Sequence, residues 1–150
     1  MSTLTESGTG ATTAARLERI RMASFGALTM LFLQFVLGAA YSLYGTAPTA
    51  RKSVGLFSSP LLATHVILGI LLLIAAAMLV FRVVQARAGA GLLAMSIVGL
   101  VAIIGAGIAG GQFAQNGADG ASLGMAIATA VAMLCYTVNL VILPHGKRQG

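Results

Sequence analysis

The chain has 150 residues, of which 58% are hydrophobic and only 8% are charged. Soluble globular domains carry about 25% charged residues, so this composition excludes an ordinary soluble domain. The formal net charge of +6 could suit a nucleic-acid-binding protein, but the basic residues are scattered along the chain and form no single patch. We therefore expect a membrane protein that binds no nucleic acid.

Four apolar blocks without any charged residue account for this composition. Each is close to the roughly 20 residues that an α-helix needs to cross the hydrocarbon core of a bilayer at about 1.5 Å per residue. The blocks cover residues 24–44, 61–81, 90–110 and 121–143. The sequence therefore predicts an all-α fold, an integral membrane four-helix bundle surrounded by the lipid bilayer.

The segments outside the blocks give the remaining organisation. Residues 1–22 combine Ser, Thr, Gly and Ala with a basic end next to the membrane, which is typical of a disordered tail. The transmembrane domain then covers residues 23–144, and residues 145–150 form a second short tail. The first block is longer than the about 7–15 apolar residues of a cleaved signal peptide, so we expect it to be retained as a span.

Local signals mark several helix ends. Ser59 followed by Pro60 is typical of the N-cap and first position of a helix. The short connection between the second and third blocks requires these helices to be antiparallel neighbours. The pair Gly110-Gly111 predicts the end of the third helix, and Pro144 predicts the end of the fourth.

The basic residues are divided unequally between the two sides of the membrane. Arg51 and Lys52 lie in the first loop, on the side opposite to the chain termini. The basic residues on the other side are Arg16, Arg19, Arg21, Arg82, Arg87, Lys147 and Arg148. Because Lys and Arg are retained on the cytoplasmic side, we predict a multi-pass protein of the bacterial cytoplasmic (inner) membrane with both termini in the cytoplasm.

Small and polar residues follow one face of each block at spacings of three and four. In lipid, small residues allow helix backbones to approach closely and mark the packed faces. We therefore expect these faces inside the bundle, with Leu72 and Val98 directed towards lipid. The four faces are Gln34, Gly38, Tyr41 and Gly45; His65, Gly69 and Ala76; Gly99, Ala102, Ala106 and Gly110; and Met125, Thr129, Ala132, Tyr136 and Asn139.

His65 lies within the second block, about 7 Å from its outer boundary when counted from Pro60. An ionisable group at this depth is a candidate for function. Antiparallel counting brings five residues to a similar depth: Gly38, Tyr41, Gly105, Gly107 and Met125. Glycines make room for a macrocycle, and His and Met can bind its iron, so the pattern predicts a haem pocket with His65 as an iron ligand. Alternatively, His65 is a neutral imidazole that is bonded to Thr64 or Tyr41, or is open to water.

The first hairpin also resembles that of the haem A synthase family. The resemblance is carried by residues 33–38 (LQFVLG), followed after a loop by Thr64-His65. That family has two four-helix halves, with haem-ligating histidines near the outer ends of helices 2 and 4 of each, which implies an axial ligand at His65. Met125 stands nearest to the place of the second histidine, and residues 61–63 (LLA) replace the family's acidic residue. A second half is not matched, so we do not expect the synthase activity.

No other sequence motif indicates a chemical function. Gly105, Gly107 and Gly110 have the spacing of a dinucleotide-binding motif, but they lie within a predicted helix. The isolated Cys135 is expected to pack as a small apolar residue. We therefore predict a small non-enzymatic accessory or structural membrane protein. It would act through helix packing, as a homo-oligomer or with another membrane protein. The alternative is a redox membrane protein that binds haem b, or a quinone, in the outer half of the bundle.

Overall fold

The computed structural model describes residues 4–45, 48–49 and 53–143; the predicted helix stop at Pro144 and the tail 145–150 lie outside these residues. Its helices are α1 (Leu4–Tyr44), α2 (Pro60–Ala86), α3 (Ala90–Asn116) and α4 (Asp119–Ile142). All four are long and apolar enough to cross a membrane. This confirms the predicted all-α fold with four candidate spans.

Each helix packs against the next helix along the chain, and α4 returns to pack against α1, so the bundle closes into a ring. The connections from α2 to α3 and from α3 to α4 are only a few residues long, which makes these neighbours antiparallel. In the described part of the chain, α1 and α3 lie across the bundle axis from each other without backbone contact, and so do α2 and α4.

Each helix turns one line of residues towards the bundle interior, and we call these lines the seams. Successive seam residues are alternately three and four positions apart, the coiled-coil period that keeps one face towards the neighbours as helices cross at about 20°. The seams are Ile20, Ser24, Ala27, Leu31, Gln34, Gly38, Tyr41 and Gly45 on α1; Leu62, His65, Gly69, Leu72, Ala76, Leu79 and Val83 on α2; Leu92, Ser96, Gly99, Ile103, Ala106, Gly110 and Phe113 on α3; and Met125, Thr129, Ala132, Tyr136, Asn139 and Leu143 on α4.

The predicted faces lie on these seams, apart from Ala102 beside the α3 seam, but the seams also hold large apolar side chains. Leu72 is only 2% exposed, so the prediction that it faces lipid is wrong, whereas Val98 is 45% exposed on the outer surface. A residue is buried because of its position in the three-four repeat, whatever its size. Small size or polarity, on which the predicted faces rest, does not find the large apolar residues of the seams.

The outer surface of the bundle is apolar along its length, as a lipid-facing surface requires. Side chains that are more than half exposed on it include Phe25, Phe32, Phe35, Ile67, Ile70, Phe81, Val101, Ile108 and Leu134. Threonine hydroxyls within the helices donate to the carbonyl four residues earlier, at Thr29, Thr64, Thr129 and Thr137. This internal bond satisfies the hydroxyl where no water is at hand.

The start of α2 follows the sequence signal. The side-chain oxygen of Ser59 accepts a hydrogen bond from a backbone amide of the first turn at 3.2 Å, and Pro60 is the first helical residue. The helix then runs on past its predicted end at residue 81 and stops only at Ala86. Arg87, in the left-handed region with φ 48°, closes it.

The end predicted for α3 is wrong. The helix passes through Gly110 and Gly111 and continues to Asn116. Gly117 closes it with φ 66°, and its amide donates to the carbonyl of Phe113 at 2.8 Å. A glycine within a helix lacks only a side chain, whereas the residue after a helix often needs a positive φ that glycine adopts without strain.

The first helix begins at Leu4, long before the first apolar block. The structure therefore has helix through most of the segment 1–22, for which the sequence predicts a disordered tail. The apolar stretch of α1 starts at Ala14. Ile20 is 1% exposed, so this part of α1 packs against the other helices and is continuous with the bundle.

The connection between α1 and α2 folds over one end of the bundle, which we call the loop end. The Val54 amide donates to the Ala114 carbonyl at 2.9 Å. The carbonyl of the buried Pro48 lies so close to Gly117 that any side chain there would collide with it. The connection thus joins the first two helices to the α3–α4 turn. We call the opposite end the arginine end, because it carries Arg16, Arg19, Arg21, Arg82 and Arg87.

Candidate functional site

Buried polar side chains occur in two layers of the bundle, one towards the loop end around His65 and one towards the arginine end around Asn139. Polar groups inside a membrane protein are expensive and are candidates for function. In the described ranges, the following buried polar atoms have no hydrogen-bond partner: Ser24 Oγ, Gln34 Oε1, His65 Nδ1, Tyr136 OH and Asn139 Oδ1.

In the layer around His65, Gln34 of α1 reaches across to the backbone of α2. Its Nε2 donates to the carbonyl oxygen of His65 at 2.8 Å. Gly69, one turn further along α2, makes this bond sterically feasible, because a Cβ at that position would lie 2.7 Å from the Gln34 Nε2. Any side chain at Gly69 would therefore displace the amide and break the bond between the two helices.

The imidazole of His65 lies against Gly38 of α1. Its Cε1 would be 3.3 Å from a Cβ at Gly38, so the ring occupies the space that this glycine leaves open. The hydroxyl of the neighbouring Thr64 donates to the carbonyl of Pro60 at 2.8 Å. Nδ1 of His65 has no hydrogen-bond partner in the part of the chain that is described.

Met125 of α4 and Gly110 of α3 form a second pair of this kind on the opposite side of the bundle. The sulfur of Met125 would be 3.3 Å from a Cβ at Gly110. Counting equal numbers of residues back from the α2–α3 turn puts residue 111 at the level of His65, and Gly110 is the adjacent seam residue. We therefore name the four residues Gly38, His65, Gly110 and Met125 the histidine layer.

The other residues of the predicted pocket lie outside the histidine layer. Gly107 is on the exposed surface of α3, and a Cβ at Gly105 or Gly107 would have no neighbour within 4 Å. Tyr41 is one seam position nearer to the loop end than Gly38, and its ring lies over Gly45 of the same helix. The space within the layer comes from Gly38 and from Gly110, which was not among the predicted pocket residues.

A haem in this layer would need an open space between His65 and Met125. The two residues are chemically suited to bind haem iron, and they come from helices that face each other across the bundle axis. However, His65 fills the space over Gly38, and Met125 fills the space over Gly110. In this arrangement the residues do not fit a haem, and binding would require both side chains to turn away from their glycines.

The second polar layer joins α3 to α4. Nδ2 of Asn139 donates to Oγ of Ser96 at 3.1 Å, and that hydroxyl donates to the carbonyl of Leu92 at 2.8 Å. Tyr136, one seam position nearer to the histidine layer, lies over Gly99, where a Cβ would be 3.0 Å from its Cζ. The side chains of Asn139, Ser96 and Tyr136 are completely buried.

Several polar atoms around this second layer have no partner in the described protein: Ser24 Oγ, Tyr136 OH and Asn139 Oδ1. Buried polar groups in proteins are nearly always hydrogen-bonded, with ordered water as the partner where protein groups are lacking. We therefore expect water in this layer. Tyr136 and Asn139 lie on a predicted face, whereas Ser24 and Ser96 were not predicted to be interior; the three-four spacing is the signal that finds them.

Replacement of Gly38 by leucine is expected to separate α1 from α2, because the new side chain would occupy the place of the His65 ring. Overpacking of this kind lowers the free energy of unfolding by about 1–3 kcal/mol. The variant should therefore unfold at a lower mole fraction of SDS in mixed micelles. Gly26→Leu is the matched control on the same helix, since a Cβ there has nothing within 4 Å. Equal destabilisation by both substitutions would contradict the packing of His65 against Gly38.

Comparisons with known proteins add no assignment to this site. No family model matches the chain, and comparisons with curated proteins and with solved structures found no match.

Proposed function

We propose that this chain is a multi-pass protein of the bacterial cytoplasmic membrane that acts by helix–helix association in the bilayer and not by catalysis. The partner is a second copy of the chain. The observation that supports this proposal is a pair of glycines on α3, the exposed Gly107 and the half-buried Gly111, which we call the glycine notch.

The glycine notch consists of two residues that lie about one helical turn apart. A Cβ at Gly107 or Gly111 would have no neighbour within 4 Å, so the described residues leave both positions open. The neighbouring Ile104 and Ile108 are 44% and 60% exposed and give the notch apolar walls.

Glycines spaced by four allow a second helix backbone to approach closely, and such packing drives association in lipid, where the hydrophobic effect between helices is absent. A second copy of the chain supplies a suitable helix, because a symmetric dimer brings the same surface patch of both subunits together. Contact between two notches would bury Gly107 and Gly111 against each other across the two-fold axis.

The double variant Gly107→Leu/Gly111→Leu is expected to associate about tenfold more weakly or worse, which corresponds to about 1.4 kcal/mol. Leucine side chains in the notch hold the two backbones apart without disturbing the monomer. The measurement is the dimer fraction as a function of protein density in lipid vesicles, determined by single-molecule photobleaching.

Gly105→Leu is the matched control, because Gly105 lies on the same helix outside the notch and is equally free of neighbours. A wild-type protein that is monomeric at all densities would refute self-association. The same conclusion would follow if Gly105→Leu weakened the dimer as much as the double variant.

We infer that the arginine end faces the cytoplasm. Five arginines gather there, from the first part of α1 and from the end of α2. Basic residues next to spans are retained on the cytoplasmic side. Both chain termini are then cytoplasmic, which adds Lys147 and Arg148 to the same side, opposite to Arg51 and Lys52; these four residues lie outside the described ranges.

A reporter that is active only outside the cytoplasm tests this orientation. Fused after Gly150 it is expected to be silent, and inserted between the exposed Gly55 and Leu56 of the α1–α2 connection it is expected to be active. A cytoplasm-specific reporter at the same two positions serves as the control and should give the opposite pattern. Activity of the first reporter after Gly150 would reverse the assignment.

Haem binding through His65 is the second candidate function, and it would require His65 and Met125 to turn away from Gly38 and Gly110. It is favoured by one observation: Nδ1 of His65 is buried without a partner among the described residues, at the level of Met125 on the facing helix. Haem binding would make the chain a redox membrane protein, with His65 as an axial ligand.

The absorbance spectrum of the purified protein separates the two candidates. If haem binds, a Soret band is expected that His65→Ala abolishes, while Met125→Ala shifts the reduction potential or spin state. Gly26→Leu, far from the histidine layer, should leave the spectrum unchanged. A protein that is colourless after purification from haem-replete cells, and remains so after addition of haemin, would exclude this candidate.

A further inference from the structure

A groove of about 1060 Å³ lies between α1 and α2 at the arginine end. It is lined by arginines from both helices together with an apolar wall, and we call it the arginine groove. Its arginines are Arg16, Arg19 and Arg82, and its wall includes Ile20, Met22, Ala23 and Ala86.

The packed core holds two of these arginines in place. Arg19 directly precedes Ile20, and Arg82 directly precedes Val83; both of these seam residues are 1% exposed. The backbone at both arginines is therefore fixed by the bundle, while the guanidinium groups remain exposed. Arginines held on two packed helices present a preformed cationic site, unlike basic residues on a flexible tail.

The charge of the groove is not neutralised by the residues that the structure describes. Glu18 is the acidic residue in its lining, which leaves three positive charges against one negative charge. In the part of the chain that is described, none of the three guanidinium groups forms an ion pair. Guanidinium groups bind phosphate oxygens in a planar, often bidentate geometry, so the groove is suited to a phosphate group.

The groove also lies where charged residues border the charge-free apolar block 24–44 of α1, and in a bilayer such a border meets the phosphate groups. Its lining combines charged residues with Met22 and Ala23, which belong to the apolar stretch of α1. Met22 is 63% exposed, and the nearby Phe25 is 58% exposed. An occupant of the groove would therefore meet arginines at one end and a lipid-exposed apolar surface at the other.

We propose that the arginine groove binds an anionic phospholipid, with the phosphodiester headgroup on Arg19 and Arg82 and an acyl chain along α1. Basic pockets between membrane helices recognise anionic headgroups in this manner. The site is independent of the glycine notch, which lies on α3, so either proposal can fail without the other.

The test is native mass spectrometry of the full chain in detergent, titrated with phosphatidylglycerol or with phosphatidylcholine of the same acyl chains. Each arginine near a headgroup contributes about fivefold in affinity. Arg19→Gln and Arg82→Gln are each expected to weaken phosphatidylglycerol binding about fivefold, and the double variant about 25-fold. Phosphatidylcholine binding should change little.

Arg21→Gln is the matched control. It removes the same charge from the same helix, but Arg21 lines a different groove, of about 570 Å³, between α1 and α4. It should leave phosphatidylglycerol binding within about twofold of the wild type, since Arg21 lines the other groove and is not placed to contact the headgroup. Equal weakening by Arg21→Gln and Arg19→Gln would show a general surface charge effect and overturn the proposal.

Two further outcomes on the wild-type protein would also overturn it, whatever the folding of the variants. One is equal affinity for phosphatidylglycerol and phosphatidylcholine. The other is displacement of phosphatidylglycerol by an equal concentration of inorganic phosphate, which would identify a site for free phosphate and not for a lipid.

Discussion

In a bilayer the backbone hydrogen bonds of a span close within its own helix, so helices are held together by the fit of their side chains and by a few polar bonds. The seams of this protein meet that constraint with an alternating spacing of three and four that continues through all four helices. This spacing decides which residues are interior. Polar, small and large side chains are buried alike when they stand on a seam, and the two polar layers are consequences of the same repeat.

Seam glycines and larger side chains are matched across the helix interfaces. The pairs are Gly38 with His65, Gly69 with Gln34, Gly99 with Tyr136, and Gly110 with Met125. Between α1 and α2 each helix provides one glycine and receives one side chain, so the interface is interlocked in both directions. The interior polar groups therefore also fill space. A substitution at either member of a pair leaves a void or a clash in addition to any change in hydrogen bonding.

The four spans and the capped start of α2 are predictable from the sequence because both depend on neighbouring residues alone. The depth of α3 is not, because it depends on where α3 ends. The count that set Gly105 and Gly107 beside His65 took Pro60 and Gly110 as the outer ends of the two helices. α3 extends to Asn116, which shifts the level of His65 by more than one turn along α3. Leu72 was misplaced for a different reason: its size says nothing about its seam position.

The connection over the loop end has a consequence for the order in which the protein assembles. Its bond from Val54 reaches Ala114, and Pro48 rests on Gly117, residues that are synthesised long after the connection itself. The first two helices are therefore synthesised while their connection still lacks these contacts. The connection can adopt its final path only when the α3–α4 turn has crossed to the same side of the membrane. Closure of the loop end thus follows synthesis of the α3–α4 turn, and a ribosome-bound chain that ends before residue 114 would leave this connection open to proteases.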